Sequence, residues 1–263
     1  MKYKFHKYQG TGNDFILIDG MSPDFKFSLE TRAIAQLCNR RFGIGADGLI
    51  VLNPSHIADF KMVYYNSDGG LSSMCGNGSR CALRFASNKG YLKKYVKFEA
   101  ADGLHKAKVK ETISVKMINV SDVEEINDDF YLNTGSPHYV RFVTKLDDLD
   151  IIAEARKIRY NDRFKTQGTN VNFVKIVPDG IKVRTYERGV EDETFSCGTG
   201  VVASAIARHL QDDKSGTKFN IETKGGKLGV SFKSDFNVYR DIWLSGPAQE
   251  VYIGQFNMDN YNG

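Results

Sequence analysis

The sequence predicts an α+β protein of two pseudo-symmetric domains, each a mostly antiparallel sheet wrapped around a central helix. Three observations support this prediction. Stretches in which apolar and polar residues alternate, as they do in half-buried strands, recur along the chain. Two helical stretches are apolar on most faces and therefore belong in a protein interior. A cysteine-glycine phrase occurs once in each half, which indicates an internal duplication.

Turn signals separate the strand-like stretches. Asp68-Gly69, Asp102-Gly103 and Lys224-Gly225-Gly226 are turn sequences, and Pro178-Asp179-Gly180 predicts a hairpin. The clearest predicted strands cover residues 15–18, 49–52, 61–65, 113–117, 173–177, 181–186 and 242–244.

Helical patterns are fewer. One covers Leu29–Asn39, with Ser28 as its N-cap, and another covers Leu149–Tyr160. The remaining two follow Cys75-Gly76-Asn77-Gly78 and Cys197-Gly198-Thr199-Gly200 and are the most apolar. We therefore expect one of these two helices at the centre of each domain.

The likeness of the two halves extends beyond the cysteines. Tyr65-Asn66 and Tyr186-Glu187 precede the first and second cysteine by nearly the same distance, and Asn-rich strand entries occur at residues 10–15 and 168–173. Three similar features in the same order indicate duplication, with a ligand site expected in a cleft between the halves. The expected domains are residues 1–118 together with 249–263, and residues 119–248.

Composition and charge narrow the class of protein. Of the 263 residues, 41% are hydrophobic and 26% charged, as in ordinary globular chains. The net charge is +4 and the lysines are scattered, so nucleic-acid binding is not expected. Residues 1–15 lack the apolar core of a signal peptide, and no stretch approaches the roughly 18–20 apolar residues that span a membrane. We expect a cytoplasmic protein that does not bind membranes.

The cysteines suggest a chemistry. Cys38, Cys75, Cys81 and Cys197 are expected to be free thiols in a cytosolic chain, and their spacing matches no metal site, so no metal is expected. Helix N-termini favour the thiolate and present amides to an anion such as a substrate carboxylate. Cys75 and Cys197 each precede such a helix start. A matched pair of thiols can remove a proton from one face of a carbon and return one to the other.

Three other features have competing explanations. His138 lies in the turn 134–138, where a structural histidine is the alternative to a functional one. Glu187-Arg188 interrupts an apolar strand end, where a surface ion pair is the alternative. Gly43–Gly48 has G-x-G-x-x-G spacing, but it follows a helix and enters a strand, the reverse of a dinucleotide-binding order, so no nucleotide is expected there.

Several of these strings together resemble diaminopimelate epimerases. The matching segments are residues 10–15, 43–48, 74–81, 136–138, 187–189 and 197–200. The likeness runs in order from residue 10 to about residue 248, so it covers nearly the whole chain. Cys-Gly-Asn-Gly-x-Arg-Cys combined with Glu-Arg-Gly is specific, because proline racemases and hydroxyproline epimerases share the paired cysteines but lack this combination.

The resemblance implies interconversion of LL- and meso-2,6-diaminopimelate, in lysine and peptidoglycan precursor biosynthesis, without pyridoxal phosphate, another cofactor or a metal. It also implies the two-domain fold and a homodimer. Cys75 and Cys197 would be the acid/base residues on opposite faces of the α-carbon, while His138 and Glu187 support them and hold the reacting amino group. The implied substrate-binding residues are the amides of Gly76, Asn77, Gly198 and Thr199 and the side chains of Asn13, Asn66, Asn170, Glu187 and Arg188.

Two positions depart from the family pattern. Ser136 takes a place that is often Asn, and Gly48 takes one where some members have Gln, both expected near the distal end of the substrate. A related racemase of another amino acid is therefore an alternative. A non-catalytic binding protein is a third hypothesis, although binding alone does not need two thiols. If Cys75 and Cys197 face each other, air oxidation should join them and remove activity that a reductant restores.

Overall fold

A computed structural model describes residues 2–22, 25, 30–72, 74–212 and 216–261. The chain divides into two compact units, one formed by Met1–Val115 with Gly246–Gly263 and the other by Lys116–Ser245. We call them the N-terminal unit and the C-terminal unit. The domain limits expected from the sequence, after residues 118 and 248, remain a prediction.

The N-terminal unit combines a sheet with two helices. Its elements are β1 (Lys2–Gly10), β2 (Asn13–Asp19), α1 (Thr31–Cys38), β3 (Gly48–Asn53), β4 (Phe60–Asn66), β5 (Leu71–Ser72), α2 (Gly76–Asn88), β6 (Val96–Ala100), β7 (Gly103–Val109), β8 (Ile113–Lys116) and, from the end of the chain, β18 (Gln249–Asn257) with the 3-10 turn Met258–Asn260. The pairs β2–β3 and β4–β6 are parallel. The pairs β18–β1, β1–β2, β3–β4, β4–β5, β6–β7 and β7–β8 are antiparallel.

The C-terminal unit is built in the same way. Its elements are β9 (Val123–Ile126), β10 (Asp129–Asn133), β11 (Pro137–Phe142), α3 (Ile151–Arg159), β12 (Asn170–Val177), β13 (Gly180–Glu187), β14 (Asp192–Thr194), α4 (Gly198–Gln211), β15 (Lys218–Thr223), β16 (Gly226–Asp235) and β17 (Val238–Gly246). Here β11–β12 and β13–β15 are the parallel pairs. The pairs β9–β10, β10–β11, β12–β13, β13–β14, β15–β16 and β16–β17 are antiparallel.

The two units therefore repeat one series of strand pairings. The series β18–β1–β2 corresponds to β9–β10–β11, and in each unit a short helix then leads to a parallel strand. The long helices α2 and α4 follow β5 and β14 at matching points. Because β18 takes the place that β9 has in the other unit, the end of the chain completes the N-terminal sheet. The predicted α+β fold and its pseudo-symmetry are confirmed.

Each sheet buries apolar residues on both faces, so that neighbouring residues of one strand enter different cores. In β2, Leu17 packs with α2, whereas Ile16 packs with α1. In β12, Val174 packs with α4, whereas Phe173 packs with α3. The helices that follow the cysteines thus lie in the larger cores, as the sequence predicts.

The predicted elements match the observed ones with small changes at their ends. Asp150 caps α3 by accepting a hydrogen bond from the Ala153 amide at 3.0 Å, so the helix begins at Ile151 rather than at 149. The helix predicted from Leu29 begins at Thr31, and its predicted cap Ser28 lies outside the described residues. Within the described chain, every helix is too short or too polar to cross a membrane.

One predicted repeat is wrong. Residues 10–15 contain the turn between β1 and β2, whereas residues 168–173 lead into β12, which corresponds to β3. The two segments therefore occupy different places in the repeated unit. Their likeness reflects similar turn residues at a strand entry, where Gly, Thr and Asn are favoured for local reasons.

Candidate active site

Cys75 and Cys197 occupy the same position in the two units, because each is the N-cap of the long helix. Their backbones are extended, with φ −106° and ψ 124° at Cys75 and φ −113° and ψ 113° at Cys197. The Gly78 amide donates to Cys75 Sγ at 3.5 Å. The first amides of a helix have no intrahelical acceptor and the helix dipole is positive there, so both thiols lie where negative charge is favoured.

Arg80 follows Cys75 on α2 and has no exposed surface. Burial lowers the pKa of Arg80, and the charges of Cys75 and Cys81 oppose this lowering. In the described part of the chain no carboxylate forms an ion pair with Arg80. Its hydrogen bonds go to neutral acceptors: Gly76 O at 3.4 Å, Asn77 Oδ1 at 2.9 Å, Thr11 Oγ1 at 2.9 Å and Pro247 O at 3.3 Å.

Two predicted substrate residues meet beside this helix start. Asn77 Nδ2 donates to Asn13 Oδ1, and Asn13 Nδ2 donates to Asp47 Oδ2 at 3.0 Å. A carboxylate only accepts, so Asn13 must direct its NH₂ group toward Asp47 and its carbonyl oxygen toward Asn77. Arg40 in turn holds Asp47 at 2.8 Å. The orientation of Asn13 is thereby fixed.

Cys197 is connected to a different set of groups. Its Sγ lies 3.5 Å from Thr199 Oγ1, which lies 2.8 Å from His138 Nε2. Asn172 Nδ2 lies 3.2 Å from His138 Nδ1 and donates to Tyr139 O at 3.0 Å. Because a carbonyl only accepts, the NH₂ group of Asn172 faces both neighbours. Nδ1 of the imidazole therefore accepts a hydrogen bond. Nε2 carries the hydrogen and donates a hydrogen bond to the Thr199 hydroxyl.

His138 is uncharged in this setting. It is completely buried, and burial lowers its pKa to about 3, with a smaller contribution from the positive charge of Arg188. The imidazole therefore acts as a neutral hydrogen-bond donor rather than as an acid at neutral pH. Its predicted support of a cysteine has a direct route through the Thr199 hydroxyl.

Asn170 already uses its side-chain groups within the protein. Its Nδ2 donates to Ser136 Oγ and to Pro137 O, both at 2.9 Å, and its Oδ1 accepts from the Arg188 amide at 2.8 Å. A substrate group that accepts a hydrogen bond from Asn170 would have to replace one of the two Nδ2 bonds, whereas Oδ1 can accept a second hydrogen bond. Arg188 is exposed and donates to Gln167 O at 3.0 Å.

Asn66 and Glu187 lie at corresponding strand ends. Asn66 ends β4 and is exposed, whereas Glu187 ends β13 and is half-buried. Each strand is followed by a short hairpin strand that leads to the cysteine. The roles predicted for both residues in substrate binding remain predictions.

Gly48 occupies a position that has no room for a side chain. A Cβ there would lie 2.5 Å from Tyr65 O and 2.6 Å from a carbon of the Tyr64 ring. The Tyr64 ring thus fills the space into which a glutamine at this position would project. The influence of Gly48 and Ser136 on substrate choice remains a prediction.

Residues 43–48 lie between a helix and a strand, as predicted, and their amides are already bonded. The Gly43 amide donates to Asn39 O, the amides of Ile44 and Gly45 donate to Leu37 O, and that of Ala46 donates to Cys38 O. These bonds satisfy the carbonyl groups at the end of α1. The segment therefore ends a helix and does not present these amides to a phosphate.

No role was predicted from the sequence for Arg80 or Asn172. A charged residue in the middle of an apolar helix was the available signal for Arg80. Strand alternation puts Asn172 on the same face as Asn170, a predicted substrate residue, and this shared face could have indicated a role for Asn172 in the site. Its contact with His138 depends on the parallel register of β11 and β12, in which His138 pairs with Asn170.

Both halves of the chain match one family of known proteins. The diaminopimelate epimerase family matches residues 5–122 and 130–250. A diaminopimelate epimerase from Flavobacterium psychrophilum is 49% identical over 252 residues, covering 95% of this chain and 98% of the relative. One from Chlorobaculum tepidum is 40% identical over 260 residues, covering 95% and 99%.

Solved structures share the fold at low sequence identity. A phenazine biosynthesis protein of the PhzF family from Bacillus anthracis has a TM-score of 0.76 at 14% identity, covering 98% of this chain and 99% of that one. A probable proline racemase from Agrobacterium radiobacter has a TM-score of 0.69 at 13% identity, covering 99% and 94%. The family match over both units, with relatives similar along almost their whole length, shows that this chain belongs to the diaminopimelate epimerase family.

Proposed function

We propose that this chain is an isomerase that interconverts LL- and meso-2,6-diaminopimelate with two cysteines and no cofactor. The observation that carries the proposal is the placement of Cys75 and Cys197 as N-caps of corresponding helices in the two units. Membership of the family, and relatives that are diaminopimelate epimerases, support the choice of substrate.

In the proposed reaction one cysteine is a thiolate and the other a thiol. The thiolate takes the α-proton and becomes a thiol, which leaves a carbanion at the α-carbon. The other thiol then gives its proton to the opposite face and becomes a thiolate. The substrate gains and loses one proton, and the enzyme returns to its starting state by proton exchange with water. The reverse reaction begins from the other cysteine.

Amides at the two helix starts are proposed to hold the α-carboxylate. Gly76 and Asn77 begin α2, and Gly198 and Thr199 begin α4, so these residues carry the first amides of each helix. Charge that develops next to the carboxylate during proton removal is stabilised by such donors. This supplies the stabilisation that a cofactor provides in other racemases.

Polar residues around the cysteines are proposed to orient them and the substrate. The Thr199 hydroxyl, which accepts a hydrogen bond from neutral His138, can direct its own hydrogen to Cys197 Sγ. Glu187 is proposed to hold the reacting amino group. Asn13, Asn66, Asn170 and Arg188 are proposed to contact the substrate, several of them at its distal end, where buried polar groups give selectivity.

A racemase of another amino acid is the second candidate. Two observations favour it: Tyr64 fills the space beside Gly48, and Ser136 bonds to Asn170 where the family often has Asn. A panel of amino acids, assayed for α-proton exchange, decides between the two. Faster exchange of a mono-amino acid than of diaminopimelate would favour the second candidate.

We also propose a cytoplasmic homodimer that binds neither nucleic acid nor membranes. Val251, Tyr252 and Ile253 are apolar neighbours on β18 whose side chains are about half exposed. Exposed apolar side chains of this kind support an interface at this strand. Sedimentation velocity of the full chain tests the dimer, and a concentration-independent monomer would contradict it.

The decisive experiment follows the α-proton. Reduced protein is incubated with LL-diaminopimelate in heavy water, and both α-deuterium incorporation and meso product are measured by NMR and chiral chromatography. We expect deuterium to enter together with meso product, because the proton returned to the carbon comes from a solvent-exchanged thiol. Folded, reduced protein that exchanges no α-proton of diaminopimelate would contradict the proposed substrate.

A further inference from the structure

Among the described residues of the N-terminal unit, no anionic side chain is paired with Arg80. It has no exposed surface, and its four hydrogen bonds all go to neutral oxygens. A buried charge is costly unless an opposite charge lies near it. An ordinary structural arginine would meet a carboxylate here, so the missing counter-charge needs an explanation.

Four carboxylates of the N-terminal unit are engaged by other side chains. Asp14 pairs with Lys7 at 2.8 Å and Arg40 at 2.6 Å, Asp47 with Arg40 at 2.8 Å, Asp19 with Lys89 at 3.2 Å and Glu250 with the His6 imidazole at 2.9 Å. Although burial alone would raise it, hydrogen bonds from Arg40 and Lys7 lower the pKa of Asp14 to about 2, which keeps this carboxylate charged and committed to them. None of these groups serves Arg80.

Among the described residues, two thiols are the titratable groups whose charge acts on Arg80, namely those of Cys75 and Cys81. Cys81 is completely buried, and burial raises its pKa to about 12, so it stays protonated at neutral pH. Cys75 is only half-buried and accepts a hydrogen bond from the Gly78 amide. Cys75 is therefore the group that can supply the negative charge.

The geometry points to Arg80 as the residue that holds Cys75 in its thiolate form before substrate binds. In this inference, which rests on the proposed two-thiol reaction, the resting enzyme carries its negative charge on the cysteine of the N-terminal unit. The Cys75 thiol loses its proton to water, and Arg80 remains protonated throughout. Arg80 is thus a positioning residue that acts through Cys75 and does not touch the substrate.

The C-terminal unit offers an internal comparison. Counted from the cysteine, the residue of α4 that corresponds to Arg80 is Val202, which is completely buried in an apolar core. Cys197 has the neutral hydroxyl of Thr199 beside it instead. The two thiols are therefore expected to ionise at different pH.

The test measures alkylation of each cysteine without substrate. Reduced protein is treated briefly with iodoacetamide between pH 5 and 9, and modified Cys75 and Cys197 are quantified in proteolytic peptides by mass spectrometry. The charges of Arg80 and Cys75 act on each other, and a nearby cation lowers the pKa of an acid, so Cys75 should react at a pH about one unit below that of Cys197. Reaction of Cys75 at the same or higher pH than Cys197 would overturn the inference.

Two variants separate charge from structure. Arg80→Gln keeps hydrogen-bond donors but removes the charge, and should slow alkylation of Cys75 at pH 6.5 by about tenfold or more, with Cys197 little changed. Arg80→Lys keeps the charge and should retain most of the low-pH reactivity. Equal effects of the two substitutions would overturn a charge role.

If circular dichroism shows that neither variant folds, the comparison of Cys75 with Cys197 in the unaltered protein still tests the inference. Since no substrate is present, failure here is distinct from failure of the deuterium experiment.

Discussion

The starts of α2 and α4 are alike in backbone and different in polar surroundings. Both helices begin at an extended cysteine followed by Gly-x-Gly. Beyond that, Cys75 has the Gly78 amide and a buried guanidinium on its helix, whereas Cys197 has a hydroxyl backed by a neutral imidazole. Duplication thus preserved the feature that favours a thiolate at each site and left the supporting residues free to diverge.

This difference matters for a reaction that needs one thiolate and one thiol at the same time. Two thiols in identical surroundings would have the same tendency to ionise. A cation that acts on one thiol and a neutral donor next to the other make one cysteine the thiolate and the other the thiol before substrate binds. The comparison therefore predicts unequal thiols in equivalent positions.

The largest expected effect comes from removing either thiol. Cys75→Ala and Cys197→Ala should each lower epimerisation at least about a thousandfold, because each variant lacks one of the two proton carriers. Chiral chromatography of the product measures this, with circular dichroism as the check on folding. Cys38→Ala is the matched control, since burial raises the pKa of that α1 thiol to about 12 and it stays protonated. Near-normal turnover by either active-site variant would refute the two-thiol reaction.

Loss of the hydroxyl beside Cys197 should have the next largest effect. Thr199→Val keeps the backbone amide but removes the donor to Sγ, and a hydrogen bond to a charged group is worth about 1.5–3 kcal/mol, or roughly 10- to 150-fold in rate. Thr199→Ser keeps the hydroxyl and should retain most of the activity. The measurement is kcat as a function of pH. Equal pH profiles for Thr199→Val and Thr199→Ser would show that the Thr199 hydroxyl does not support Cys197.

The second glycine of each cysteine phrase should differ in its tolerance of a methyl group. A Cβ at Gly200 would lie 2.4 Å from Asn172 Oδ1, whereas one at Gly78 would lie 3.1 Å from the flexible end of Ile50. We expect Gly200→Ala to lower the free energy of unfolding by about 1–3 kcal/mol. For Gly78→Ala we expect a smaller loss. Urea denaturation of both variants makes the comparison, and equal losses would show that Asn172 does not constrain the start of α4.

The last effect accumulates only as the pH falls, and it is a pH dependence of stability caused by His138. Its pKa is about 3 in the folded chain and about 6.5 when unfolded, so below pH 6.5 the unfolded state binds the additional proton. Stability should therefore fall as the pH drops from about 6.5 toward 3, by about 1.4 kcal/mol per pH unit from this residue. Urea denaturation of His138→Gln at several pH values provides the control. If the free energy of unfolding changes with pH equally in His138→Gln and in the unaltered protein, His138 is not buried as a neutral group.

Much of the fold could be predicted because its signals are local. Strand alternation, the Pro178-Asp179-Gly180 hairpin and the apolar helices after each cysteine all depend on residues close together in the chain. The wrong pairing of segments 10–15 and 168–173 shows the limit of this information. Both are strand entries that begin with Gly-Thr, and only the strand pairings reveal that they enter different strands of the repeat.

The candidate site divides in the same way. The sequence by itself determined that Cys75 and Cys197 begin helices and that amides of the next residues lie beside them, because helix geometry fixes neighbours within one turn. The tertiary structure alone decided that Asn172 meets His138 and that Arg80 is buried against neutral oxygens, with no carboxylate partner among the described residues. Both features involve residues far apart in the chain. The first depends on strand register, and the second depends on which charges the fold pairs elsewhere.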